Sequence, residues 1–185
     1  TYWVLKYHID GFHLMGAKLP MDLLSREPCL TDTMILSDRQ YQNGQEEQQN
    51  SLGWMNDGFL YDMRRFLKGD DNQMEPFLYH VREKQPGTGT VNYMAKWDGF
   101  RLADLVSFDR KHNEENGEDN KDGTDYNCSW NCGIEGKSRK KAIVQLRARQ
   151  MKNAMTLLLM SQGTPLLYSG DEFGNTQGGN NNPYC

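Results

Sequence analysis

The chain is 185 residues long, enough for one domain with a buried core. Its formal net charge of −4 argues against a nucleic-acid partner, because such domains carry a basic face, and the one basic cluster, at residues 137–141, reads as a solvated helix start. No stretch approaches the roughly 18 apolar residues of a membrane span.

Four cysteines stand at positions 29, 128, 132 and 185. Cys128 and Cys132 form an isolated pair, whereas a tetrahedral zinc site needs four ligands, so neither metal nor cofactor is expected. A reduced, cytoplasmic chain is the plain expectation. The sequence opens on Tyr2-Trp-Val-Leu5 and stops at Cys185 after a Gly/Asn loop; neither end has the polar character of a natural terminus, and a longer parent protein is expected.

In chain order, the first residues read as the end of a helix and residues 7–14 as a short strand. Residues 18–24 read as the start of a helix with Pro20 near its first turn. Thr33-Met-Ile-Leu36 reads as a strand ending in Ser37 and Asp38, and the Gln-rich stretch 39–53 as a surface loop. A helix is expected over 59–67, stopped by Gly69. Val91-Asn-Tyr-Met-Ala95 reads as the next strand, residues 103–108 as a helical turn, and 109–127 as a long acidic loop. The strongest helix is 142–161, rich in Leu, Met, Ala, Arg and Gln. Gly163-Thr-Pro165 ends it, and Leu166-Leu-Tyr168 reads as a last strand.

Strands alternating with helices give an α/β class with a parallel sheet. Asp38, Asp98 and Asp171 each follow a strand, where β/α folds gather their function. Two weaker motifs fail. Pro86-Gly-Thr-Gly89 lacks the third Gly and the Lys of a phosphate loop. Residues 120–123 suggest a calcium loop, but Ser129 stands where its last Glu ligand belongs. Both read as turns.

Longer runs carry more information. Lys111-His-Asn-Glu-Glu-Asn-Gly-Glu118, Asp122-Gly-Thr-Asp125, Ser129-Trp-Asn-Cys-Gly-Ile-Glu-Gly136, Ser161-Gln-Gly-Thr-Pro165, Gly170-Asp-Glu-Phe-Gly-Asn-Thr-Gln177 and Gly179-Asn-Asn-Asn182 resemble the isoamylase and glycogen-debranching branch of the α-amylase superfamily. Asp98-Gly-Phe-Arg-Leu-Ala-Asp-Leu105 resembles that branch's penultimate-strand motif. The resemblance implies a (β/α)₈ TIM barrel, with residues 1–185 covering about the fourth to the eighth strands, the second half of a catalytic barrel. Half a barrel leaves strand edges unpaired, so the remainder of the barrel or parent chain is an expected partner.

The resemblance also implies a site. Retaining glycosidases use a carboxylate nucleophile and a carboxylic acid about 5–5.5 Å apart, and this superfamily adds a third carboxylate. The family's fourth strand reads Asp-Gly-Phe-Arg-x-Asp, the last Asp being the nucleophile, where this chain reads Asp10-Gly-Phe-His13-Leu-Met15. Aligned without gaps, His13 replaces the Arg and Met15 the nucleophile; a two-residue deletion also removes the nucleophile. Asp38 stands nearest the family's acid/base Glu and is either a shortened substitute or a loop or cap carboxylate. Asp98 matches the third carboxylate, with Trp97 in place of the family's His. Asp98, Trp97 and His13 are thus candidates for binding sugar, with the Asn180-Asn-Asn182 loop expected at the cleft mouth, and Trp97 either stacks on a pyranose or packs into a closed cleft. The expected function is a catalytically degenerate member that keeps an α-glucan surface for glycogen, starch or a maltooligosaccharide. An active hydrolase using Asp38 and Asp98 in altered roles, and a purely structural scaffold, are its alternatives.

Overall fold

The computed structural model describes residues 1–15, 23, 24, 26–38, 52–82 and 89–184. Five strands form one sheet among them: β1 (Gly11–Leu14), β2 (Met34–Ser37), β3 (Leu52–Met55), β4 (Gly89–Tyr93) and β5 (Thr164–Leu166). They lie in sequence order, and every adjacent pair is parallel. The helices are α1 (Tyr2–Tyr7), α2 (Asp57–Lys68), α3 (Met74–Arg82), α4 (Leu102–Leu105) and α5 (Lys141–Met160). This is the arrangement of a partial (β/α) barrel, as the resemblance implies.

Side-chain alternation divides the sheet into two faces. One face carries Leu36, Met55, Val91, Tyr93 and Leu166 in a single apolar cluster. The pairing of His13 with Leu36 places His13 on that face. Phe12, Leu14 and Ile35 alternate with these residues and pack on the other face with Leu30, Val4 and Leu24. The largest core lies between α2, α5 and the segment after β4, built from Phe59, Met63, Met94, Phe100, Leu102, Leu105, Ala154 and Leu158.

Local chemistry fixes the ends of α2. Asn56 caps its start, its side-chain oxygen accepting from Phe59 N at 3.1 Å. Gly69 closes the other end at φ 89°, its N–H reaching Arg65 O and Phe66 O. The same Asn56 donates to Asn92 Oδ1 at 2.9 Å, and Asn92 donates to Gln162 O at 2.7 Å. Gly163 follows at φ 111°; a Cβ there would sit 2.9 Å from Asn92 Nδ2 and 3.0 Å from Thr90 O, so glycine is required.

The structure corrects the sequence reading at three elements. Residues 52 and 53, assigned to a surface loop, begin β3, a strand the sequence reading lacked. Helix α3 was likewise absent from it. The last strand starts at Thr164 and contains Pro165, not at Leu166. Pro165 is accommodated because β5 has a single neighbour in this sheet. Most of the expected helix at 18–24 and most of the Gln-rich segment lie outside the described residues; Leu23 and Leu24 are helical. The Pro86 turn also lies outside them, while Gly89 opens β4.

Candidate functional site

Because all five strands run parallel, their C-terminal ends share one edge. Met15 directly follows β1, Asp38 follows β2, Asp57 lies two residues past β3, and residues 96–98 follow β4. The edge brings the sequence-derived candidates together. His13 Nε2 and Asp38 Oδ1 are 2.7 Å apart. The His13 ring meets the Trp97 indole with centroids 4.6 Å apart and planes tilted by 56°. Met15 points largely into solvent, being 63% exposed, and Trp97 is 37% exposed.

Three residues that the sequence reading did not single out complete the site. Lys96 Nζ lies 3.5 Å from Asp98 Oδ1 and 3.5 Å from Asp57 Oδ1. Tyr93, fully buried, donates its hydroxyl to Asp57. Burial, then the hydrogen bond to Asp57 and the charges of Asp57, Asp98 and Asp38, push the Tyr93 phenol far up, so it stays a neutral donor. Asp57 escaped notice because its strand did; it reads as an ordinary first-turn acid of α2. Once β3 is recognised, Asp57 falls on the functional edge.

The chain after β4 is held by arginines rather than by regular structure. Arg101, 3% exposed, donates to Lys96 O at 2.5 Å and Trp97 O at 3.3 Å, and its guanidinium lies 4.1 Å over the Tyr168 ring. Arg64 on α2 donates to Met94 O at 2.6 and 3.0 Å and to Asn127 O at 3.0 Å. Burial pushes the Arg64 guanidinium down to about 10, still cationic at neutral pH. Carbonyl oxygens accept these planar, multi-donor groups where a carboxylate would otherwise be needed.

Two sequence expectations change here. Asp171, grouped with Asp38 and Asp98, is buried and accepts from Leu102 N at 3.0 Å, anchoring the start of α4. Burial raises its carboxyl above the usual range, against the pull of that hydrogen bond and of Arg101 and Arg64. The Asn180-Asn-Asn182 run, expected at the cleft mouth, is occupied internally. Asn181 Nδ2 donates to Thr124 O at 2.7 Å and Asn127 Oδ1 at 2.8 Å, and its Oδ1 accepts from Asn113 at 2.9 Å. Asn116 Nδ2 and Asn182 Nδ2 both donate to Asp122 Oδ2, at 2.7 and 2.9 Å. Those amides tie the 109–127 loop to the C-terminal segment.

No protein-family model matches the chain. Individual proteins do. It is 33% identical over 231 residues to isoamylase 1, chloroplastic, of Oryza sativa subsp. japonica, covering 100% of this chain and 29% of that one. It is 38% identical over 211 residues to the glycogen debranching enzyme of Serratia proteamaculans (strain 568), covering 100% of this chain and 32% of that one. The D470A mutant of pullulanase from Paenibacillus barengoltzii, complexed with maltotetraose, shares the fold with a TM-score of 0.60 at 21% identity, covering 99% of this chain and 30% of that one. The chain thus spans about three tenths of the length of the curated relatives it matches.

Proposed function

Since the chain belongs to the isoamylase and glycogen-debranching branch of the α-amylase superfamily, we propose that it is a catalytically degenerate member whose strand-end site binds α-glucan without cleaving it. The observation that carries this reading is the His13–Asp38 pair at 2.7 Å with Trp97 against the imidazole, on an edge where the sequence places Met15 rather than a carboxylate directly after β1. A thioether cannot form and release a glycosyl ester as a carboxylate does. Asp38, the nearest substitute for the acid/base, is already engaged by His13.

The groups that remain suit recognition. An indole 37% exposed offers a face for the C–H side of a pyranose, and Asp98, with its side chain 56% exposed, offers acceptors for hydroxyls. That exposure favours an open cleft over a filled one. The pullulanase that shares the fold is complexed with maltotetraose, which supports the same class of ligand for this site. Among the described residues, Asp38 is bonded to His13 while Asp57 and Asp98 share Lys96, an arrangement that supports binding over a retaining mechanism with its two carboxylates.

Calorimetry on the intact protein with a maltooligosaccharide series tests the binding half. Weak binding of about −4 to −6 kcal/mol, millimolar to high micromolar, is the expected result. Trp97→Ala weakens it by about fivefold, the order of one aromatic contact. No heat at millimolar ligand would leave only the scaffold. Turnover of amylopectin or pullulan above an inactive control, abolished by Asp98→Ala, would replace this reading with the active hydrolase.

A further inference from the structure

We propose that Lys96 sets the ligand charge that this site accepts: its ammonium is a built-in cation that admits neutral α-glucans and disfavours protonated amino-sugars. The inference rests on the glucan-binding reading above and goes beyond it to substrate class. Acidic sugar sites favour cationic ligands for a simple reason. Unpaired carboxylates attract an ammonium placed among them, and glycosidic transition states carry positive charge in the same place. Here that place is filled from within. Lys96 Nζ is 3.5 Å from both Asp57 Oδ1 and Asp98 Oδ1, lies 5.4 Å over the Trp97 ring, and is 5.8 Å from the centre of the Tyr93 ring.

The ammonium is not a loosely placed surface charge. Its side chain is 21% exposed, and Arg101 fixes its own backbone carbonyl at 2.5 Å. Tyr93 donates to the same Asp57 oxygen that faces Lys96. Asp38, which follows β2 on the same edge, is bonded to His13. A neutral sugar can still use the free lone pairs of Asp98 and the indole face. A cationic one must compete with the Lys96 ammonium for the same two carboxylates.

The test compares two probes on the intact protein by calorimetry, neutral maltotetraose and a maltosyl iminosugar that is protonated at neutral pH. The wild type should bind the cationic probe no better than the neutral one. Lys96→Met keeps the apolar stem and removes the charge; it should raise the cationic-to-neutral affinity ratio by about two- to fivefold at low salt, the size of a partly exposed ion pair. The gain should shrink at about 0.5 M salt, where charges are screened within a few ångströms. Lys96→Arg should keep the wild-type ratio, which a packing defect would not do selectively. An unchanged ratio in Lys96→Met with normal maltotetraose binding overturns the role of Lys96 alone. Absence of maltotetraose binding in the wild type removes the glucan reading itself and this inference with it.

Discussion

The strand-end site and the clamp between residues 109–127 and the C-terminal segment are built on opposite plans. In the clamp, Asn113 and Asn181 are almost wholly buried and exchange hydrogen bonds in both directions. Each amide there has several partners whose loss would leave other buried groups unsatisfied. At the site, Met15, Trp97 and Asp98 reach solvent, and water can replace a missing partner. On the proposed reading, the contrast lets chemistry be replaced while architecture persists. A substitution at the edge alters function at little structural cost, whereas one in the clamp disturbs both loops.

The sharpest test of this contrast is Asn181→Ala. It removes the donors to Thr124 O and Asn127 and the acceptor for Asn113, and should lower stability by about 3 kcal/mol in urea unfolding of the intact protein. A loss close to zero would mean that the clamp tolerates change as freely as the site. Next comes Arg101→Met, which strands the carbonyls of Lys96 and Trp97. A loss of about 2 kcal/mol is expected, with a red shift of tryptophan emission that is absent in the same variant made on Trp97→Phe.

Acid should loosen the clamp selectively. Hydrogen bonds from Asn116 and Asn182 hold the Asp122 carboxyl below its ordinary value. A carboxyl lowered on folding contributes stability above its unfolded value, about 3.9, and loses it as pH falls through the lower folded value. The protection of the Asn113 and Asn181 amides against hydrogen exchange, corrected for the intrinsic rate at each pH, should therefore fall below about pH 4, and Asp122→Asn should flatten that fall. Asp104 behaves oppositely: burial raises its carboxyl, so its contribution is fully present at low pH and declines as pH rises through the folded value. The smallest effect belongs to Met15→Ala, at less than about 0.5 kcal/mol in the same urea measurement, as for other exposed positions.

Much of this molecule was legible in its residues, and the failures have physical reasons. Helix α2 announced itself through the spacing of Phe59, Met63 and Leu67 and through Gly69. Strand β3 did not, because Leu52-Gly-Trp-Met55 is four residues long, contains a glycine and follows a polar run. A strand that short draws its stability from its neighbours, Leu36 and Val91, which only the fold supplies. Missing β3 then hid Asp57, and with it one of the two partners of Lys96. His13, Asp38, Trp97 and Asp98 were found through motif resemblance, and their contacts with one another came only from the register of β1 and β2 and the bend after β4. The asparagine run misled because amides that can greet a sugar can equally bind a buried carbonyl, and composition does not distinguish the two.

The amide relay from Asn56 through Asn92 to Gln162 makes misalignment of this sheet all-or-none. Its hydrogen bonds span 36 and 70 residues of sequence. Sliding β4 by one residue against either neighbour would turn the Asn92 side chain to the opposite face, uncap α2 and release the chain ahead of β5 in a single event. The relay therefore works as a checksum on strand alignment: a misregistered sheet cannot satisfy two of the three members and wait for the third, and the correctly paired state is separated from its near neighbours by a step rather than a slope.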